Sequence, residues 1–381
     1  MFKVSVGVNE IAHSLAIAGK CVDSKPIIPI MGSVLIDKSP QGFTMSASNS
    51  EMRVDIPIEL NVEDGDFTPF CIDYTRLSNA VSTLERGTNI VFEVDDKKAV
   101  VNHSTGKFAV PMDNKARNYP VSVKPENNEG YFSFTCNGAA LIRNLNMAKP
   151  CMSEDKTRPF LCGVCLDVFE NTFNVVSTSG MLVFVKQNEP MTTSDGNPIN
   201  RKLIIPASAL SAVTGIFSNS EEIKVETDLM RIFLTDENGL KHTVRMVEGA
   251  YPNYLKLIPE CEMSDIVVNR KLLDSTLRRA SIFTDSKVNL ISLTKTGTEL
   301  SIAGCDMLYA TSFSENLPIT NENTLADGFR IGCNLVYLYD ILSSIETENV
   351  KFRFSDPSKV FVIEEEGGDD DKILLLAPMS L

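Results

Sequence analysis

The chain has no run approaching the ~20 apolar residues that a membrane-spanning helix needs. Its opening, Met1-Phe2-Lys3-Val4-Ser5-Val6, reads as a strand rather than a basic-then-apolar leader. No membrane is therefore expected among its partners, and a cytoplasmic location is expected. Histidine is scarce: His13, His103 and His242 stand alone, without metal-ligand spacing. Phosphate-binding signatures are missing too. Ser104-Thr105-Gly106-Lys107 lacks the leading glycine of a P-loop, and no G-x-G-x-x-G opens a helix. No catalytic residue, cofactor or metal is expected.

Cysteine is present but unpatterned. There are nine, an odd number, and Cys71, Cys136, Cys305 and Cys333 lie inside apolar segments. That suits small buried hydrophobes in a reducing compartment better than a disulfide framework. Cys162-Gly163-Val164-Cys165 is a formal C-x-x-C, but its setting, Phe160 to Val168, reads as a strand. Residues three apart on a strand point to opposite faces, whereas redox and zinc versions converge at a helix start or turn. The acidic run from Glu364 to Asp371 has Gly367-Gly368 at its centre and apolar flanks at 360–363 and 373–376, the pattern of a hairpin with a solvated loop. These two features are the support for a rival reading, an enzyme or metalloprotein on a repeated scaffold.

What is there is a repeat. Ala47-Ser48-Asn49-Ser50-Glu51-Met52 aligns with Ser177-Thr178-Ser179-Gly180-Met181 and with Ala303-Gly304-Cys305-Asp306-Met307. Each reads as strand, small polar turn and strand, with Met beside the turn. Two further landmarks recur in step. An apolar strand leads into a helix at Phe70–Asp73, Ile204–Pro206 and Ile331–Cys333, and a pre-helix strand recurs at Val4–Val8, Phe132–Cys136 and Ile266–Val268. Three copies of 127 residues fill all 381. That is the size of a single domain, about 100–150 residues, not of a solenoid unit of about 20–50. The expected domains are 1–125, 126–257 and 258–381.

Each copy carries two helical patterns: Asn9–Lys20 and Tyr74–Arg86, Asn137–Lys149 and Ala207–Ser218, Asn269–Thr284 and Asn334–Glu346. Strands alternate with period 2, as in Ile90–Val94 and Leu300–Ala303. The fold class is α+β, with two helices per domain packed on one side of antiparallel sheet. Tandem copies can pair edge to edge into a continuous outer sheet, and head-to-tail contacts close such an array into a ring.

A net charge of −14 argues, by itself, against nucleic acid, whose phosphates need Lys and Arg. The cations are not scattered, however. Lys20, Arg76, Arg86, Arg143, Lys149, Lys271, Arg278 and Arg279 sit on or after helices. The acids gather in strands and turns, as at Glu63-Asp64, Asp95-Asp96, Glu221-Glu222 and Glu364–Asp371. The macrodipole attracts cations to helix ends and accounts for several of these. A face shared by all the helices would be basic on an acidic protein.

At this point the chain resembles the bacterial DNA polymerase III beta subunit, the sliding clamp. The resemblance rests on Lys25-Pro26-Ile27-Ile28-Pro29-Ile30-Met31-Gly32, Arg158-Pro159-Phe160-Leu161-Cys162-Gly163, Ser177–Gly180, Tyr251-Pro252-Asn253-Tyr254-Leu255-Lys256-Leu257-Ile258-Pro259 and the ending Ala377-Pro378-Met379-Ser380-Leu381. It implies two three-domain chains closed head to tail into a six-domain ring, with twelve helices lining a hole around duplex DNA. It also implies the partners: the replicative DNA polymerase alpha subunit, the clamp loader and other proteins carrying a clamp-binding motif. A diverged accessory clamp is the alternative within the family.

The resemblance further implies site residues. A peptide pocket would use Leu161, Thr178, Gly180 and Val183 from one domain. The linker would add Pro252 and Leu257, and the last domain Asn334, Tyr337, Pro378, Met379 and Leu381. Met181 and Leu182 stand where the family commonly has His-Arg, Lys256 where it has Arg, and Ala377 and Ser380 where it has Met and Arg. A more apolar rim, with fewer bidentate contacts, is expected. Lys25 and Arg158 match family DNA contacts, to which the helix cations Arg76, Arg143, Lys149, Arg278 and Arg279 are added, while 150–157 is longer than usual. Phe108 and Val110 would meet Ile282 and Phe283 of a second copy, an apolar patch that a lone chain would expose.

Overall fold

In the computed structural model the described residues are 1–23, 25–95, 98–113, 116–125, 131–193, 200–228 and 230–381. Asp96, an expected acidic position, and Glu126, the expected first residue of the second domain, lie outside them. The chain divides into two units. One is Met1–Ile142, Met191–Asn197 and Ser208–Met246; the other is Arg143–Pro190, Pro198–Ala207 and Val247–Leu381.

Among the described residues, six α-helices each begin on the residue after a strand. They are α1 (Val8–Ala18), α2 (Tyr74–Ser82), α3 (Gly138–Ala148), α4 (Ala207–Ile216), α5 (Arg270–Phe283) and α6 (Leu335–Leu342). The junction residue explains the abrupt switch. Asp73, Asn137, Asn269 and Asn334 end their strands and accept a helical N–H on the side-chain oxygen, at 2.8, 2.8, 3.1 and 2.9 Å, as N-caps do. The first helical N–H is satisfied elsewhere: Val8 donates to Thr88 O, Gly138 to Glu221 O and Arg270 to Glu348 O, at 2.7–2.9 Å. That approach is so close at α3 that a Cβ on Gly138 would lie 2.3 Å from Ser220 O.

The expected helices are all present, but their C-terminal ends run too far in the sequence reading. α2 stops at Ser82 rather than Arg86, and α6 at Leu342 rather than Glu346. Apolar spacing continues into the turns that follow, where Ile345 is buried without being helical. None of these six described helices has a basic residue in its last turn. The macrodipole therefore does not account for Arg76, Arg143, Lys271, Arg278 and Arg279, which sit at first turns and mid-helix, whereas Lys20 and Lys149 follow helix C-termini, where it acts.

In the first unit, Phe2–Gly7 lies between Asn61–Asp64 and Asn89–Val94, and the sheet continues through Lys98–His103 to Gly106–Asp113. A second run orders Phe70–Asp73, Ser33–Ser39, Gly42–Ser48 and Met52–Ile58, then crosses to Lys241–Arg245, Arg231–Asp236 and Glu222–Thr227. All these pairings are antiparallel, and α1 packs on α2. In the second unit, Thr311–Pro318, Glu299–Asp306, Leu290–Thr296 and Arg330–Asn334 form one sheet. Ser264–Asn269, Asn349–Phe354, Phe361–Glu365 and Lys372–Leu376 form another, which joins Leu182–Thr193 and, through it, Thr172–Thr178, Gly163–Phe169 and Asn200–Pro206. Here α5 packs on α6.

The threefold repeat is visible in atomic detail at its turns. Asn49 Oδ1 accepts from the N–H of Glu51 and Met52, both 2.9 Å. Ser179 Oγ accepts from Met181 and Leu182, at 3.4 and 3.1 Å. Asp306 Oδ1 accepts from Leu308 and Tyr309, at 2.8 and 3.1 Å. One polar side chain caps each turn, and short Asn, Ser and Asp side chains are suited to that bond.

Cys71, Cys136 and Cys333 are buried as expected, whereas Cys305 is exposed. Cys162 precedes the strand Gly163–Phe169 rather than lying in it, and its thiol donates to Asp155 O at 3.3 Å. Cys165 is buried, which pushes its thiol pKa up. The acidic run does form a hairpin, between Phe361–Glu365 and Lys372–Leu376. Its loop is not simply solvated. Lys186 and Lys372 face each other in register, a repulsive arrangement if left alone. Glu365 is buried against Lys372 at 2.7 Å, and Asp369 reaches Lys186 at 3.3 Å.

Candidate binding groove and charged faces

The groove expected between the second and third repeats lies wholly within the second unit. Its floor is a strand seam, Leu182↔Leu376, Val183↔Leu375, Phe184↔Leu374, Val185↔Ile373 and Lys186↔Lys372. Leu161 and Val183 share one core cluster with Tyr251, Tyr254 and Leu375. Around the turn, Thr178 Oγ1 donates to Leu182 O at 2.6 Å and accepts from Gly180 N at 3.0 Å. Gly180 sits at φ +94°, a left-handed conformation that glycine adopts without strain.

Two tyrosines fix the linker. Tyr251 is buried, and its hydroxyl donates to Val176 O at 3.4 Å. Tyr254 is fully buried, with Asn174 Nδ2 donating to its oxygen at 2.7 Å and Lys202 Nζ 5.4 Å from its ring. Burial pushes the Asp167 carboxyl up, against the pull of Lys202 at 3.5 Å. The residues after Tyr254 form a short 3-10 turn, Tyr254–Leu257. Lys256 and Leu257 are exposed there and line a groove of about 480 Å³ with Ile258, Cys261, Lys359 and Val360.

The C-terminal tail is a strap. Ala377 N donates to Met181 O at 2.9 Å and Met379 N to Gly332 O at 2.8 Å. A Cβ on Gly332 would lie 2.4 Å from Met379 O and 3.0 Å from the Leu381 side chain, so glycine is needed for the tail to lie flat. Pro378 and Met379 are half-buried along it, and Pro252 is half-buried in the linker. Asn334, two residues beyond Gly332, is occupied as the cap of α6, accepting from Val336 and Tyr337 N–H, and Tyr337 is half-buried.

The structure corrects one rim residue. Met181 is 44% exposed, but Leu182 is 1% exposed because its register partner is Leu376. The apolar rim therefore consists of Met181, Leu257 (44%) and Leu381 (57%), without Leu182. Tyr251 and Tyr254 stand in the sequence only as part of the linker segment, with no holding role, and Asn174 does not stand out at all. The Tyr-Pro pair that recurs at 119–120 and 251–252 is the signal that marks them.

The candidate DNA-facing cations are exposed, and most are paired on their own chain. Arg76 meets Asp73 at 3.1 Å, Arg158 meets Asp155 at 3.0 Å and Arg278 meets Asp274 at 2.9 Å. Arg279 binds Glu315 through two 2.7 Å bonds, and Arg143 lies 4.0 Å from Glu346. Hydrogen bonds from Thr157 and Arg158 hold Asp155 below its ordinary pKa, and Arg279 does the same for Glu315. Lys25 and Lys149 are exposed. This is a compensated surface rather than a bare basic one.

The expected self-association patch is half corrected. Ile282 (72%) and Phe283 (39%) are exposed at the end of α5, with Phe283 stacked on Phe313 at 6.3 Å. Phe108 is half-buried beside His103, but Val110 is buried at 2% and offers no surface. The turn Met307-Leu308-Tyr309, expected as a copy of the repeat but not as part of this patch, is exposed next to α5: Thr311 Oγ1 donates to Phe283 O at 3.1 Å. Among the described residues no group of three His, Cys, Asp or Glu is arranged to hold a metal, and no helix is long and apolar enough to cross a membrane.

Comparison with known proteins gives one consistent family. Models of the DNA polymerase III beta subunit match in order: its N-terminal domain over 2–122, central domain over 136–253 and C-terminal domain over 255–380. The beta sliding clamp of Pseudomonas putida is 24% identical over 375 residues, covering 96% of each chain. That of Rickettsia felis is 23% identical over 379 residues, again with 96% of each covered. A DnaN sliding clamp from Pseudomonas aeruginosa, bound to griselimycin, has the same fold at a TM-score of 0.89 and 20% identity over the whole of both chains. The DNA polymerase III beta subunit of Thermotoga maritima gives 0.87 at 18% identity, also over both whole chains.

Proposed function

The chain belongs to the DNA polymerase III beta subunit family, and from that premise we propose that it is the sliding clamp of a replicative polymerase. Two copies close head to tail around duplex DNA and tether the polymerase alpha subunit and other clamp-binding-motif proteins, after a clamp loader has opened the ring. It is a non-catalytic processivity subunit acting in the cytoplasm. The observation that carries this reading is the threefold repeat, filled from end to end by the family's three domains in order.

The domains run 1–125, 126–257 and 258–381. The groove of the second unit takes partner peptides, with Met181, Leu257 and Leu381 offering apolar contact and the 377–381 strap forming one wall. Ring closure uses Ile282, Phe283 and Phe108. A ring holds DNA by topology, so its inner face needs only weak attraction. Cations already paired with carboxylates suit that, because tight phosphate binding would impede sliding, and the acidic remainder of the surface repels stray DNA.

The test is retention on DNA of two shapes. Protein loaded on nicked circular plasmid is expected to survive high salt, which dissolves electrostatic complexes, and to leave when the plasmid is linearised. Equal retention on both forms would overturn the topological mechanism.

A further inference from the structure

The joint between the first and second repeats, inside the first unit, repeats four pairings of the groove joint. Ser48 Oγ donates to Met52 O at 3.3 Å, as Thr178 does to Leu182 O. The Tyr119 hydroxyl reaches Ser46 O at 3.4 Å, as Tyr251 reaches Val176 O. Arg245 N donates to Glu51 O at 2.9 Å, as Ala377 N does to Met181 O. Met52 pairs with Val244 as Leu182 pairs with Leu376. A concavity of about 270 Å³ lies at this joint, walled by Met52, Val121, Val123 and Met230 and by Arg53, Arg231 and Arg245.

Among the described residues the lining has three arginines against one carboxylate, which is unusual on a chain of net charge −14. Two of them are committed: Arg53 to Asp55 at 2.6 Å and to the Pro120 carbonyl, and Arg231 to Asp228 at 3.3 Å. The carboxylate, Glu51, accepts from Ser208 Oγ at 2.6 Å. Arg245 is exposed and has no ion-pair partner among the described residues. Beside it, Val121 (81%) and Met230 (47%) present apolar surface to water. A guanidinium recognises carboxylate through paired N–H donors, and methionine walls adapt to different apolar guests.

We propose that this groove is a second peptide site, taking an extended acidic-apolar segment of a partner protein that sets a carboxylate on Arg245 and an apolar side chain against Met52, Val123 and Met230. The likeness of the two joints rests on the peptide-binding reading of the second unit; the charge and the apolar walls do not. Nucleic acid fits less well, since Met52, Pro120, Val121, Val123 and Met230 give phosphates no partner.

The experiment uses the full-length protein labelled with 13C at its methionine methyls and titrated with the hexapeptide Asp-Leu-Asp-Leu-Asp-Leu. Met52 and Met230 report this groove, while Met181 and Met379 report the other. Saturable shifts at Met52 and Met230 are expected, with affinity falling at least tenfold in Arg245→Glu and in Arg245→Gln and staying unchanged when 377–381 are removed. A Lys-Leu hexapeptide and a short duplex are expected to leave these two signals unmoved. Silence at Met52 and Met230, equal response to the control probes, or indifference to both Arg245 variants would overturn the proposal. Silence at Met181 and Met379 alone would count against the other groove's reading and leave this one standing.

Discussion

The two joints share a backbone and differ in what they bury. In the first unit the seam pairs Asp55 with Lys241, Val54 with His242, Arg53 with Thr243 and Met52 with Val244. In the second it pairs Leu182 with Leu376, Val183 with Leu375, Phe184 with Leu374 and Val185 with Ile373. One joint is mostly polar and the other mostly apolar, yet their turns, tyrosines and strap bonds coincide. Main-chain pairing therefore sets the geometry of the joint, and the side chains are free to set its recognition and its response to pH. The apolar seam ends in two lysines, each held by carboxylates of the 364–371 hairpin. The polar seam places His242 where the apolar one has Leu374.

The largest contrast is expected from removing a lysine on each side. Lys372→Met leaves Glu365 buried without its cation, which should cost about 3–5 kcal/mol in urea unfolding, with much of it restored by adding Glu365→Gln. Lys241→Met loses a contact with the Phe233 ring at 4.9 Å and should cost about 1 kcal/mol. Equal losses would erase the distinction between the seams.

Removing the strap sharpens the comparison at the level of binding. Deletion of 377–381 takes away the bonds to Met181 and Gly332 and is expected to lower the affinity for polymerase-derived peptide about a hundredfold, roughly 2.7 kcal/mol. Sedimentation of the truncated protein should still give a dimer. Unchanged peptide affinity would mean that the partner site lies elsewhere.

Acid should separate the joints next. Burial holds His242 neutral and pushes its pKa down to about 3, with Asp55 pulling weakly the other way; Cys21 Sγ lies 3.5 Å from its ring. An unfolded histidine takes up a proton near pH 6.5. The unfolded state thus binds more protons between pH 6.5 and 3, and stability is lost as pH falls through that window, by up to about 1.4 kcal/mol per pH unit. His242→Leu, which copies the other seam and removes a buried Nδ1 without a hydrogen-bond partner among the described residues, should flatten that slope. Unfolding midpoints measured between pH 7 and 4 would read it, and an unchanged slope would place the acid sensitivity elsewhere.

The smallest effect tests the likeness itself. Tyr251→Phe removes the hydroxyl bond to Val176 O, and Tyr119→Phe removes a hydroxyl placed between Ser46 O and the closer Ser33 O, at a cost of about 1 kcal/mol apiece. Losses that differ severalfold would show that the two linkers are not held in the same way.

The amino-acid sequence by itself determined the threefold period, the fold class, and the place where each strand turns into a helix. These signals are local: a capping Asp73, Asn137, Asn269 or Asn334 bonds within three residues of itself, and period-2 burial is written along a single strand. It also marked the hairpin at 364–371, whereas the groove residues Thr178, Gly180 and Pro252 came from the family resemblance and not from any local pattern. Only the tertiary structure decided which of those residues face outward. Leu182 is buried through a strand distant in the chain, Leu376 being its partner, and Arg279 finds Glu315 across 36 residues. Periodicity cannot register such partners. The same holds for the lysines under the acidic hairpin and for the arginine-lined groove of the first unit, where segments near residues 50, 120, 230 and 245 meet. Burial, charge pairing and concavity belong to pairs of segments, and the fold alone chooses the pairs.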